Sequence, residues 1–171
     1  EPITLNIPVL ALRGLTVFPH MTMTFDVERR TSIAALERAM DADQKIFLVT
    51  QKNILVDDPK FSDLYPVGTV VQVRQVLKIP GNSVRILVQG EYRAQITQQL
   101  KDSPYLCARV ESLPEPGFVP DHPRIEALIR QSAQLFDEFT ELSQRPVQDV
   151  MLRLLAERHP GHIADLIGQA A

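Results

Sequence analysis

The chain has 171 residues, 44% of them hydrophobic, and a formal net charge of −3. That suffices for one domain, or one domain with an appended subdomain. It excludes a uniformly basic field for nucleic acid, so any such role rests on local patches. The single cysteine, Cys107, excludes an internal disulfide framework. It lies in an apolar run with Tyr105, Leu106 and Ala108 and reads as a buried thiol rather than a nucleophile. No apolar run approaches the roughly eighteen residues of a membrane span. No signal-peptide pattern opens the chain. Glu1 in place of a methionine suggests a trimmed piece of a longer protein, and a reducing, cytoplasmic setting fits.

Residues 3–13 are rich in Ile, Val and Leu and read as a first strand, with Pro8 confining that part to an edge or bulge. A turn begins at Arg13-Gly14. Met21, Met23, Phe25 and Val27 alternate with Thr22, Thr24 and Asp26, which predicts a second strand. The period then changes. Ile33, Leu36 and Met40 mark one face of a short helix starting near Thr31 or Ser32. Residues 45–51 form a third strand whose continuous apolar run suggests burial on both faces. Residues 52–66 read as a loop holding Asp57, Asp58 and Asp63. Their spacing lacks the glycine and terminal glutamate of a calcium loop, so a solvated loop is expected.

The stretch 63–94, DLYPVGTVVQVRQVLKIPGNSVRILVQGEYRA, is the most informative. Two β-branched runs flank Pro80-Gly81-Asn82-Ser83, and Gly81-Asn82 suits the positive-φ positions of a two-residue hairpin loop. The register that follows sets Ile79 against Val84, Leu77 against Ile86 and Gln75 against Val88 on a core-facing side. The other side sets Lys78 against Arg85, Val76 against Leu87 and Arg74 against Gln89. Lys78 opposite Arg85 costs stability unless a carboxylate lies nearby. Val76 and Leu87 are then an apolar pair on a polar face. Either they seed a patch that holds hydrophobic or unfolded peptide, or a loop or the helical segment covers them. The second arm continues to about Gln99, and 105–113 gives a last strand. Short strands, one helix and tight turns argue for a partly open barrel or two-layer sheet.

Pro114, Pro116, Gly117 and Pro120 mark a boundary. After it the period is 3.6. Ile125, Leu128, Ile129, Ser132, Phe136 and Phe139 form one helical stripe starting just after Pro123. Pro146 suits the first position of a second helix, with Val147, Val150, Met151 and Leu154 inward. Pro160 begins a third, with Ile163, Leu166 and Ile167 inward.

Catalytic signals are lacking. The sequence holds no GxxxxGK[ST], no GxGxxG and no nucleophile elbow. His159, His162 and Asp165 are spaced for one helix face and invite zinc. Pro160 and Gly161 part the histidines at a helix start, however, where His159 reads better as a cap. His20 and His122 stand alone in loops. Arg74, Lys78, Arg85 and Arg93 lie on or near the hairpin's polar face, with Tyr92 as the one nearby aromatic, so an ordinary solvated face outweighs a nucleic-acid patch.

The same hairpin stretch resembles the signature hairpin of the N-terminal domain of Lon, the ATP-dependent serine protease. IPVLALRGLTVFPHM at 7–21, SIAALERAM at 32–40 and KIFLVTQKN at 45–53 resemble that domain in the same order, and HPGHIADLIGQA at 159–170 resembles its DPxxLADxIA run. The resemblance covers nearly the whole chain and is strongest over residues 5–94. Departures are Ala11, where the family commonly has proline, His20, where glycine is common, and His159, where aspartate is usual.

The resemblance implies an α+β fold: a PUA-like β pseudo-barrel with one short inserted helix over 1–115, then an α-helical subdomain over 116–171 leading toward an AAA+ module. It implies a domain that recognises damaged, unfolded or degron-bearing proteins, docks them on its own AAA+ and protease domains, and helps a homohexameric ring assemble. ATP and Mg would belong to the full-length protein. No cofactor, metal or catalytic residue is assigned within these residues, so this piece alone should neither hydrolyse ATP nor cut peptides. Val76 and Leu87 are the candidate peptide-binding residues. DNA binding has no support here, and no membrane partner is expected. The alternative is a stand-alone adaptor of the same fold without protease activity.

Overall fold

The computed structural model describes residues 1–143 and 148–171. The expected helix start at Pro146 and Val147 lies outside the described residues. The chain divides into two compact units, Glu1–Pro114 and Glu115–Ala171.

The first unit holds six strands and a helix: β1 (Thr4–Leu12), β2 (Thr22–Val27), α1 (Arg30–Met40), β3 (Lys45–Thr50), β4 (Val67–Ile79), β5 (Ser83–Lys101) and β6 (Leu106–Ser112). The sheet order is β2-β5-β4-β3-β1-β6, and β5 also pairs with β6, so five strands close into a ring with β2 laid along the first half of β5. Among the described residues, β1 and β3 are the one parallel pair of this sheet. A parallel pair needs a long crossover, and the connection through β2 and α1 provides it. The mixed α+β pseudo-barrel expected from the sequence is the fold found.

Alternation sorts the strands onto two cores. Leu10, Leu12, Ile46, Leu48, Val71, Val73, Ile86 and Val88 pack with Ala35, Leu36 and Ala39 of α1. Ile7, Val9, Phe47, Val49, Val70, Ala94, Ala108 and Val110 form the second cluster, to which all five strands of the ring contribute. Residues Ile46 to Val49 are each no more than 2% exposed, as their unbroken apolar run predicts. Pro8 follows from the ladder. Ser112 N–H donates to the Ile3 carbonyl, so odd residues of β1 face β6 by alternation. The missing N–H of Pro8 faces the other side, where pairing with β3 begins only at Val9.

The start of α1 differs from expectation. The helix begins at Arg30 with Arg29 as an N-cap lacking a side-chain cap bond. Ser32, expected near the cap, is instead 6% exposed within the first turn.

The second unit holds α2 (Pro123–Ser143), α3 (Gln148–Ala156) and α4 (Pro160–Ala170). His159 caps α4, its Nδ1 accepting the Gly161 N–H at 3.2 Å. Phe136, Leu154, Ile163 and Leu166 are buried. The stripe expected on α2 is only partly inward, since Leu128 is 53% and Phe139 38% exposed.

Two consequences can be measured. Gly90 N–H donates to Met21 C=O and its carbonyl accepts from His20 N–H, and a Cβ on Gly90 would stand 2.3 Å from the Phe18 carbonyl oxygen. Backbone cannot yield as a side-chain tip can, so Gly90→Ala should cost ~1–3 kcal/mol or more in urea unfolding. In the second unit Glu157 accepts from the backbone N–H groups of His159 and Arg158. Those bonds, the one from His159 chiefly, hold its carboxyl below the usual range against the opposing effect of burial. A depressed folded pKa stabilises above the unfolded value of about 4.3, and that stability is lost as pH falls through the folded pKa. Glu157→Gln should therefore lower stability at pH 7 by no more than ~1 kcal/mol and remove part of the acid sensitivity, with unfolding followed by far-ultraviolet circular dichroism.

Candidate functional site

The hairpin of β4 and β5 projects past β3, with β2 running beside β5 as far as Val84. Pairing of β4 with β3 ends at Gln72, whereas pairing with β5 runs on to Ile79. Arg74 to Lys78 are exposed at every position.

The register at this tip corrects the sequence expectation. The loop has three residues, Pro80 to Asn82, with Gly81 at φ 91° and Asn82 at φ 59°. Ile79 therefore faces Ser83, Leu77 faces Arg85, Val76 faces Ile86 and Gln75 faces Leu87. A second shift falls between Val73 and Gln75 and leaves Arg74 as the extra residue. On β5 the expected core positions hold, with Val84, Ile86 and Val88 at 9%, 0% and 0% exposure. On β4 they do not: Leu77 is 60% exposed and Gln75 is exposed too, while Val76, expected on the other side, is 39% exposed. Val76 and Leu87 are not opposite one another. Val76 shares a face with Ile86, and Leu87 lies on the other face, diagonal to Leu77 and half-buried. Leu77 was missed because a one-residue slip exchanges the faces of a strand.

The charges also rearrange. Lys78 faces Val84, so the like-charge pair does not form. Arg85 instead binds Asp26 of β2 through two bonds of 2.7 and 3.0 Å. That hydrogen-bonded guanidinium holds the Asp26 carboxyl below its ordinary range. Arg74 donates to Gln89 Oε1 through Nε and Nη2. Arg93 stands 5.8 Å from the Phe18 ring. Arg74, Arg85 and Arg93 are thus engaged separately, on Gln89, Asp26 and Phe18.

The other candidates have structural roles. Asp57 pairs with Arg13, Asp58 with Lys60, and Asp63 accepts the Lys60 N–H. Burial pushes the Cys107 thiol up, which makes a poor nucleophile. His159 and His162 stack at 4.3 Å, and their Nε2 atoms stand 3.7 and 3.6 Å from Glu115. Because His159 Nδ1 accepts the capping bond, a neutral ring carries its proton on Nε2, which cannot then ligate a metal.

A cleft of about 410 Å³ opens at the start of α1, lined in part by Leu12, Leu15, Phe25, Arg29 and Ser32. Arg29 donates to the Gln51 side chain at 2.6 Å, and Gln51 holds the carbonyls of Asn53 and Val56. Burial chiefly, with Arg13 nearby, lowers the Arg29 pKa. Arg13 and Arg29 share this wall with Asp26, Glu28 and Asp57, so the cleft offers no single sign of charge to a ligand. On the helical unit, Leu128, Leu135 and Leu142 recur every seven residues at 53%, 57% and 86% exposure, a spacing suited to another helix. No helix among the described residues is long and apolar enough to cross a membrane.

Comparison with known proteins gives the context of this geometry. Residues 6–171 match the family model described as the ATP-dependent protease La (LON) substrate-binding domain. Among curated proteins, the Lon protease of Syntrophomonas wolfei is 39% identical over 162 residues, covering 95% of this chain and 20% of that protein. The Lon protease of Escherichia coli K12 is 37% identical over 163 residues, again covering 95% of this chain and 20% of that protein. The chain thus spans about a fifth of the length of these relatives. The N-terminal domain of a Mycobacterium avium complex Lon protease superposes with a TM-score of 0.75 at 21% identity, covering 97% of this chain and 83% of that one. A Lon N-terminal domain protein from Xanthomonas campestris gives 0.55 at 14% identity, covering 91% and 92%. These two likenesses concern the fold, while the match over residues 6–171 decides the family: the chain belongs to the substrate-binding domains of ATP-dependent protease La, the Lon protease.

Proposed function

We propose that this chain is the substrate-recognition and docking domain of an ATP-dependent serine protease that degrades misfolded, damaged and short-lived proteins. The family match over residues 6–171 carries the reading. The geometry supports it. A closed ring of strands provides a rigid base, and the β4–β5 tip offers exposed apolar side chains beyond that base. Unfolded polypeptide is the fitting ligand, because it presents both apolar side chains and free backbone that a folded protein hides. Val76 and Leu87 remain contact candidates, and Leu77 joins them as the most exposed of the three.

In the full-length protein, ATP and Mg serve a motor elsewhere in the chain, since these residues contain no phosphate loop. The exposed leucine seam of α2 suits the helical connection to that motor. Assembly as a homohexamer and a cytoplasmic setting belong to the same reading. Sequencing the gene past Ala171 separates this from the adaptor alternative: a GxxxxGK[ST] loop followed by a Ser-Lys protease domain is the expected result.

Binding itself can be measured with the chain at hand. Reduced, carboxymethylated α-lactalbumin, a permanently unfolded probe, should bind the chain, and the native form should not. Leu77→Glu combined with Leu87→Glu should weaken that binding about tenfold, or about 1.4 kcal/mol. Leu77→Glu alone should leave the urea midpoint nearly unchanged, because surface substitutions usually stay within about 0.5 kcal/mol. Loss of folding on Leu87→Glu alone would assign Leu87 to the core. Unaltered binding by a folded double variant would remove the hairpin face from the site.

A further inference from the structure

We propose that unfolded polypeptide is captured as an added β-strand along the free edge of β4, paired to the backbone of Val76 and Lys78. The proposal rests on the substrate-binding reading above and names the way substrate is held.

The direction of each backbone group follows from the hydrogen bonds. Gly90 spends both its N–H and its carbonyl toward the β2 side, on Met21 and His20. Alternation then turns the even-numbered residues of β5 toward β2 and the odd-numbered ones toward β4. The β4 partners of Leu87, Arg85 and Ser83 are Gln75, Leu77 and Ile79. Those three residues spend their backbone groups on β5. Val76 and Lys78 therefore turn theirs to the opposite side. Val73 gives an independent check: its N–H faces that same side, where it donates to the Gln44 carbonyl at 2.8 Å. Beyond Val73, no strand among the described residues pairs there.

Two N–H and two C=O groups thus stand in a row along exposed backbone. Such an edge is a template for another strand, and strand addition is an established mode of peptide recognition. Val76 on one face and Leu77 on the other, 39% and 60% exposed, would flank alternate side chains of the incoming strand. The occupant is set by charge. Lys78 lies on this edge, and Arg74 precedes it with its guanidinium bonded back to Gln89 of β5, so a second copy of the same edge brings Lys78 against like charge. A neutral or acidic extended segment does not. An unfolded substrate supplies such segments, and a folded one keeps its backbone paired.

The test is amide hydrogen exchange on the chain with and without reduced, carboxymethylated α-lactalbumin, read at single residues by nuclear magnetic resonance. Saturating probe should slow the Val76 and Lys78 amides at least tenfold. Val76→Pro removes one edge N–H and no bond to β5, so it should lower affinity tenfold or more. An acidic extended peptide should bind several-fold more tightly than its lysine-substituted counterpart. Binding to the wild-type chain with unchanged exchange at Val76 and Lys78 would overturn strand addition while leaving substrate binding intact. Preference for the lysine peptide would overturn the assigned occupant. Failure of the wild-type chain to bind the probe at all would defeat the substrate-binding reading instead. The exchange measurement decides the matter even if Val76→Pro fails to fold.

Discussion

Gly90 has no room for a side chain, and the first unit depends on that. A Cβ there would fall far inside contact distance of the Phe18 carbonyl oxygen. This close approach lets the segment 18–21 cross β5 and then turn along it as β2. His20 accommodates the turn at φ 64°, the left-handed region that glycine enters most readily. The crossing divides β5 into two working halves. Before Gly90 the strand carries β2, and from Ala94 it carries β6, while β4 pairs with it from Ser83 to Gln95. Because β5 has two neighbours along its length, the ring can close and still extend a three-stranded tongue beyond itself.

The strands themselves were legible because side-chain alternation belongs to each strand alone. Val84, Ile86 and Val88 announce a buried face whatever lies beside them. Register is a property of two strands and their loop, and here it depends on one residue more in the turn and one more at Arg74. Neither leaves a hydrophobic signal, since Arg74 and Gln75 are polar on either reading. Leu77 reads as core by type. Its exposure reflects that the tip has no layer over that face. The start of α1 failed for another reason: Thr31 and Ser32 are good capping residues, but packing draws Ser32 inside and moves the boundary to Arg29. On α2, apolar residues occupy more than one face, so a period of 3.6 cannot say which face is inward. Phe136 is buried and Leu135 is 57% exposed, one position apart.

The candidate site was half legible for related reasons. The hairpin could be singled out from its turn chemistry and β-branched runs, and Val76 is indeed exposed. The backbone edge could not be read at all. Whether a strand has a neighbour is decided by where β3 stops, at a pairing between Lys45 and Gln72 that no local pattern encodes.

The two open flanks of the tongue differ in a way that bears on function. Along β2 the exposed side chains are Thr22, Thr24 and Asp26, polar residues of the kind that discourage association. Along the tip of β4 they include Val76 and Leu77 between Arg74 and Lys78. Charges at an edge guard against self-pairing, but apolar side chains between them add no protection. They do add contact for a strand of another chain. Four backbone groups at a net ~0.5–1.5 kcal/mol each give at most about 6 kcal/mol, and ordering an extended segment takes back a large part of that. The resulting hold is weak and reversible. Under the proposed function that weakness is an advantage, because a tightly held strand would compete with any motor that pulls it.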